Sequence, residues 1–205
     1  MQKVQTLLYN SSPESVSVPF VKAKRPQQPL DRDKLLNVAL RALGSRAHSS
    51  GELREKLSRR AQSPEDVDAV LAKLKESGYL NDQRFAENYA AARLENQGLG
   101  KMRVLRDLRQ RRVTPKLAEQ VTDKTYEKTD EAKLIEEFLR RKYRGKELGT
   151  FFREEKNLAG AFRRLRYAGF SAGQSIKVLK RFASQPEVLD ALESEDDPLS
   201  DEDRH

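Results

Sequence analysis

One pattern occurs three times in this chain. The first copy is Leu53, Leu57, Ser63-Pro64 and Val70; the second is Val104, Leu108, Thr114-Pro115 and Val121. The third is Ala161, Leu165, Ser171-Ala172 and Val178. Each copy places an apolar pair four residues apart, a hydroxyl residue six positions on, and an apolar residue seven beyond that. An i, i+4 apolar pair marks one face of a helix, and a Ser or Thr before a new apolar run marks an N-cap. Repetition of such a unit implies stacked supersecondary modules. These present an extended binding surface rather than a single catalytic pocket.

The period extends to the whole body. Helices are predicted over 32–43, 50–60, 64–77, about 82–97, 101–112, 115–127, 130–143, 157–168 and 172–183. Leu36, Leu40 and Leu43 form the apolar face of the first. Ser49-x-x-Glu52 opens the second as a capping box; Ser63-x-x-Asp66 and Ser171-x-x-Gln174 open the third and the last. Within 32–182 the only prolines are Pro64 and Pro115, each directly after a hydroxyl residue. At the first helical position the missing N–H costs nothing, so neither proline breaks a helix. No segment alternates like a strand. The fold class is all-α: an elongated tandem array of three three-helix, helix-turn-helix-like repeats, 32–80, 81–128 and 129–183. A Ser- and Pro-rich tail, 1–31, precedes them, and an acidic tail, 184–205, follows. A further turn is expected at 186–192, and a hinge at Gly145–Gly149 before the third unit.

The net charge of +8 conceals a partition. Residues 1–31 carry +2 and residues 183–205 carry −8, which leaves +14 on residues 32–182. A basic body with an acidic tail points to a polyanion, or to a protein that handles one. The seven acids of 193–203, tethered to that body, are expected to compete with phosphate for it. There is no Cys, which removes disulfide and thiolate chemistry and suits a reducing compartment. No apolar run reaches the length of a membrane span, and the N-terminus lacks the apolar stretch of a signal peptide. The placement expected is cytoplasmic.

Candidate catalytic groups are scarce. The histidines are His48, in a polar stretch and expected to be solvated, and His205. Gly98-Leu99-Gly100-Lys101 is too short for a phosphate loop. Glu136-Glu137 and Glu154-Glu155 are adjacent and do not face each other. No active site, cofactor site or metal site is read, and the chain is expected not to be an enzyme. The basic groups carry more information. Lys101, Arg103, Arg106, Arg109, Arg111 and Arg112 cluster on one predicted helix, with Arg163, Arg164 and Arg166 on its counterpart in the third unit. Arginine suits bidentate grip of phosphate or carboxylate. These nine residues are the candidate basic face for a partner or DNA.

At Gly78-Tyr79-Leu80-Asn81-Asp82-x-Arg84-Phe85-Ala86 the chain resembles the RecX regulators of the bacterial recombinase RecA. Glu52-Leu53-x-x-x-Leu57 and Gly100-Lys101-x-x-Val104-x-x-x-Leu108-x-x-Arg111-x-Val113 add to the likeness, which covers roughly 32–182. Gly78, Tyr79, Leu80, Asp82, Arg84 and Phe85 carry the signature. The family pattern often has Gly after a basic residue where this chain has Arg60-Ala61 and Arg111-Arg112. The resemblance implies tandem three-helix units and binding, as a monomer, to the RecA nucleoprotein filament. It further implies mainly inhibition of ATPase, strand exchange and co-protease activity in DNA repair and the SOS response. Direct contact with single- or double-stranded DNA is part of that expectation. A helix-turn-helix DNA-binding protein acting without a recombinase, and a protein scaffold with no nucleic-acid contact, are the alternatives.

Overall fold

The computed structural model describes residues 29–183 and Leu189. Among these residues it forms ten α-helices: α1 (Arg32–Ser45), α2 (Ser50–Ser58), α3 (Pro64–Glu76), α4 (Asp82–Ala92), α5 (Lys101–Gln110), α6 (Pro115–Tyr126), α7 (Glu131–Lys142), α8 (Leu148–Phe151), α9 (Glu155–Tyr167) and α10 (Ala172–Leu179). A π-helical turn, Arg93–Gln97, continues α4 and ends at Gly98, whose φ of 56° lies in the left-handed region. No strand forms among the described residues; Leu30 and Ala61 make one isolated bridge. The N-terminal tail before residue 29 and the acidic tail, apart from Leu189, lie outside the described residues, as does the turn expected at 186–192.

The helix starts follow the local chemistry. Ser49 completes a reciprocal capping box with Glu52. Ser63 accepts from the Asp66 N–H, with Pro64 at the first helical position. Asp31 and Asn81 cap α1 and α4 in the same way. Ser171 departs from expectation. Its hydroxyl and its N–H both donate to the carboxylate of Glu131 on α7, at 2.8 and 2.7 Å, so no side-chain cap forms at α10. A carboxylate is the stronger acceptor partner, and tertiary packing brings it there.

Three separate cores lie along the chain. The first gathers Leu35, Ala39, Leu53, Leu57, Val67, Val70, Leu71, Leu74 and Leu80. The second gathers Phe85, Ala86, Ala90, Val104, Leu108, Val113, Ala118 and Val121. The third gathers Ile135, Leu139, Phe152, Leu158, Phe162, Leu165, Phe170, Val178, Leu179 and Leu189. In each, the last helix (α3, α6 or α10) packs against the first and the second. A fully buried Leu contributes about 1.5–3 kcal/mol over an exposed one. Cores this small offset chain entropy narrowly, so each unit depends on its neighbours.

Two expectations are corrected. The fully buried positions of α1 are Leu35, Ala39 and Ala42; of the expected leucines, Leu36 and Leu43 pack half-buried against the same core and Leu40 does not. Small alanines let α1 approach α2 and α3 closely, which rotates Leu40 outward to 38% exposure. Gly145, at φ 81°, is a turn inside the third unit rather than a hinge before it, because Ile135 and Leu139 on one side share a core with Leu148 and Phe152 on the other.

Candidate functional site

The repeats join by one recurring contact: the turn after a unit's middle helix receives a donor from the chain before it. At the first junction the Ser49 hydroxyl donates to the Arg111 carbonyl at the end of α5. At the second, Gly100 N–H donates to Ala168 O at 2.9 Å and Met102 N–H to Gly169 O at 3.1 Å, in the turn after α9. In the first unit, where no repeat precedes, Leu30 fills the same position. Its N–H donates to Arg60 O at 2.7 Å, and its carbonyl accepts from the Gln62 N–H at 3.2 Å. Backbones meet closely at these joints. A Cβ on Gly51 would overlap the Arg112 carbonyl, and one on Gly100 would overlap the Gly169 backbone. Gly169 and Arg112 are both left-handed, with φ of 91° and 58°. Arg112 therefore holds, with a side chain, the conformation for which the third unit uses glycine, at a cost of about 1–2 kcal/mol.

The candidate arginines divide by these joints. Arg111 reaches Glu52 Oε1 at 3.4 Å and lies over the Tyr89 ring at 5.0 Å; Arg112 pairs with Glu55 at 2.6 Å. Both tie the second repeat to the first. Arg103 pairs with Asp107 at 2.9 Å and lies over the Tyr167 ring at 4.8 Å, tying the second repeat to the third. Arg166 donates to Phe170 O at 2.6 Å. Lys101 pairs with Asp123 and Arg109 with Glu119, at 2.8 and 2.7 Å, among exposed groups. Arg164 donates to the Tyr143 hydroxyl at 3.1 Å. Arg106 and Arg163 are exposed and form no ion pair with any described residue. The structure does not gather the nine into one cluster; it distributes them between the two junctions and the outer surface.

Sequence reasoning missed the acidic partners. Glu52 is the hub of the first junction. It accepts from Arg46 through both carboxylate oxygens at 3.2 Å, from Ser49 N–H at 3.3 Å, and from Arg111. Burial opposes its ionisation, but the Arg46 hydrogen bonds, the Ser49 N–H and the Arg111 charge outweigh this and hold the carboxyl below its usual range. His48, expected in solvent, is 6% exposed, and neither ring nitrogen has a hydrogen-bond partner. Burial, then the charge of Arg46, pushes its pKa down, against the pull of Glu52. The available signal was the capping box itself: it places the residue before Ser49 at a helix entry.

The residues 78–85 form the connection between the first two repeats. Gly78, at φ 71°, ends α3, and Leu80 enters the first core. Asn81 caps α4, and the Asp82 carboxylate accepts from the Ser50 N–H at 2.6 Å across the junction. Arg84 donates to Gly78 O at 3.1 Å, and Phe85 enters the second core. Tyr79 remains 63% exposed. Beside this connection lies an open groove of about 450 Å³, lined by Leu40, Leu43, Ala47, His48, Tyr79, Arg84 and Phe85 among others. No described helix is long and apolar enough to cross a membrane.

Residues 36–74 match the family description "RecX, first three-helix domain", and residues 81–121 match "RecX, second three-helix domain". The chain is 41% identical over 100 residues to "Regulatory protein RecX" of Deinococcus radiodurans, covering 47% of each chain. It is 40% identical over 87 residues to the protein of that name from Halorhodospira halophila, covering 42% of this chain and 53% of that one. It thus spans about half the length of these two relatives. With the "Regulatory protein RecX" of Trichlorobacter lovleyi it shares 34% identity over 107 residues, 52% of this chain and 70% of the relative. The crystal structure of RecX from Lactobacillus salivarius superposes with a TM-score of 0.54 over 74% of this chain and 96% of that chain, at 20% identity, a likeness of fold. On the paired three-helix domains, the connection between them and these alignments, the chain belongs to the RecX family.

Proposed function

We propose that this protein binds the RecA nucleoprotein filament and restrains its ATPase, strand exchange and co-protease activity during recombinational repair and the SOS response. The family membership carries the reading, and the 78–85 connection at the centre of the repeat junction supports it. The protein acts in the cytoplasm as a monomer, by contact rather than catalysis. Its partner-facing charge comes first from Arg106 and Arg163. Lys101, Arg109 and Arg164 add to it, since exposed ion pairs are held by only about 0–1 kcal/mol and exchange readily for phosphate or carboxylate. Arg103, Arg111 and Arg112 keep the repeats in the spacing that presents those groups, and Arg166 holds the turn after α9 through Phe170 O. Direct contact with single- or double-stranded DNA uses the same cations.

The test is titration of the protein into RecA filaments on single-stranded DNA, following ATP hydrolysis and co-sedimentation. Falling ATPase with protein in the filament pellet is expected; unchanged ATPase with no co-sedimentation overturns the reading. A gel shift on the same DNA without recombinase separates a plain DNA-binding protein, which would shift it equally well.

A further inference from the structure

We propose that the turn between α7 and α8, together with the outer face of α9, is a site for the phosphate backbone of single-stranded DNA. The inference rests on the direct nucleic-acid contact proposed above and gives it a place: the third repeat, chiefly at residues outside the nine candidate cations. It does not depend on the recombinase.

The first observation is charge. Residues 129–183 hold fourteen basic residues against seven acidic ones, half of the net +14 carried by residues 32–182. The cations that end α7 have a local account. They offset the negative end of the helix dipole; Arg140 pairs with Glu136, and Arg141 donates to Gln97 O. Arg144, Lys146, Lys156 and Arg163 have no such account. All four are exposed, and none forms an ion pair with a described residue. Lys156 stands in the first turn of α9, where the dipole disfavours a cation. The carboxylates among them are engaged: Glu147 caps α8 by accepting from the Gly149 and Thr150 N–H groups, and Glu154 accepts from the Asn157 amide.

The second observation is that two cations are held in place. The Lys146 N–H donates to Tyr143 O at 2.9 Å, and Gly145 between them takes the left-handed φ of 81°. This tight reversal sets the Tyr143 ring against Phe151 and Phe152, at 5.2 and 5.3 Å. Lys146 lies over the Phe151 ring at 5.7 Å and Arg164 over the Tyr143 ring at 5.5 Å. Arg164 Nη1 also donates to the Tyr143 hydroxyl at 3.1 Å, and its other N–H groups meet no described acceptor. A guanidinium fixed on a ring loses little freedom on closing over a phosphate, and its fork matches two phosphate oxygens.

The third observation is open space. On α9, Gly160 lies one turn before Arg164 and three residues after Asn157, whose amide donates to Phe151 O at 3.1 Å. Both flanking residues thus contact the aromatic turn, yet nothing comes within 4 Å of the Gly160 Cβ position. The strip from Lys156 through Gly160 to Arg163 and Arg164 is a free cationic surface beside the rings. No large apolar side chain is exposed within 142–164, so the patch lacks the apolar centre of a protein–protein interface. Cations that run round a turn suit a flexible single strand, whereas a duplex, stiff over about 150 base pairs, does not follow one.

The experiment uses the full chain and a fluorescein-labelled oligothymidylate, followed by anisotropy across a salt series. The wild type is expected to bind, with affinity falling by about 0.7 log units per log unit of salt for each phosphate neutralised. Lys146→Gln with Arg164→Gln should weaken binding at least tenfold at low salt and reduce the slope by about 1.4, the share of two phosphates. Lys73→Gln with Lys75→Gln removes the same charge from exposed positions of the first repeat and should cost less than twofold. Gly160→Glu should bind several-fold more weakly than Gly160→Gln. Both replace a helical glycine where space is open, and circular-dichroism melts check that both fold.

Unchanged affinity and slope in the Lys146 and Arg164 variant, or an equal loss in the Lys73 and Lys75 variant, overturns the proposal. So does tighter binding of a duplex of the same length. A hexaglutamate peptide that displaces the oligonucleotide at a lower concentration of charge would assign the patch to the acids of a protein, which also overturns it. If the wild type binds DNA and the third-repeat variants bind equally well, the placement falls and the direct contact stands. If the wild type binds no DNA, both fall, and filament co-sedimentation is scored separately.

Discussion

Replacing Gly100 with Ala should undo the joint between the second and third repeats without strain in the residue itself. Gly100 has φ −73° and ψ 158°, which any residue adopts. Its Cβ, however, would overlap the Gly169 carbonyl and the Phe170 nitrogen, both backbone atoms that cannot swing aside. Separation of the two segments breaks the bonds from Gly100 N–H to Ala168 O and from Met102 N–H to Gly169 O, and lifts Arg103 from the Tyr167 ring. Two backbone hydrogen bonds at about 1 kcal/mol each and a stacked guanidinium at about 0.5–1 kcal/mol place the loss near 2–3 kcal/mol. Gly160→Ala is the control. Gly160 lies inside α9 with nothing within 4 Å of its Cβ position, so Ala should stabilise by about 0.5–1 kcal/mol. Urea unfolding followed by circular dichroism measures both, and hydrogen exchange at the Gly100 and Met102 amides locates the effect. In Gly100→Ala these two amides should lose protection, and the third repeat should unfold at lower urea. Unaltered stability with both amides still protected would refute the close-approach argument.

Arg112→Gly should leave stability unchanged or raise it by up to about 1 kcal/mol, because relief of the left-handed backbone exceeds the loss of an exposed pair with Glu55; a thermal melt showing clear destabilisation would count against this. His48 has its pKa held below the ordinary imidazole value of about 6.5, so the unfolded chain takes up the proton first. Its contribution to stability is complete above that value and falls as pH drops towards the folded pKa; urea midpoints of wild type and His48→Leu at pH 7.5 and 5.5 should diverge, the wild type losing more. Charge reversal at Arg106 and Arg163 together should weaken filament co-sedimentation while altering folding stability by no more than about 0.5 kcal/mol per site. The same reversal at Arg103 or Arg112 should register in the melt as well, since these side chains join repeats.

What this sequence determined alone was local. Several helix starts rest on groups within three or four residues: the Ser49 and Glu52 box, Pro64 and Pro115 at first helical positions, Asn81 before α4. The apolar pairs Leu53 and Leu57, Val104 and Leu108, and Ala161 and Leu165 all became core, because a period of 3.6 brings such pairs to one face whatever surrounds the helix. Tertiary structure decided what depends on residues far apart in the chain. Arg103, Arg106, Arg111 and Arg112 look alike as letters on one basic helix. Only the docking of repeats shows that Arg111 meets Glu52, 59 residues away, that Arg112 meets Glu55, 57 away, and that Arg106 meets no described acid. On α1 the leucines marked only the flanks of the buried face: Leu36 and Leu43 lie half-buried against the core, while Leu35, Ala39 and Ala42 take its centre and Leu40 faces out. Ser171 exchanged its expected cap for Glu131, and His48, in a stretch that reads as polar, was enclosed where two repeats meet. A helix needs only its own neighbours to form; a joint between helices needs the geometry of both, and no period in the chain records it.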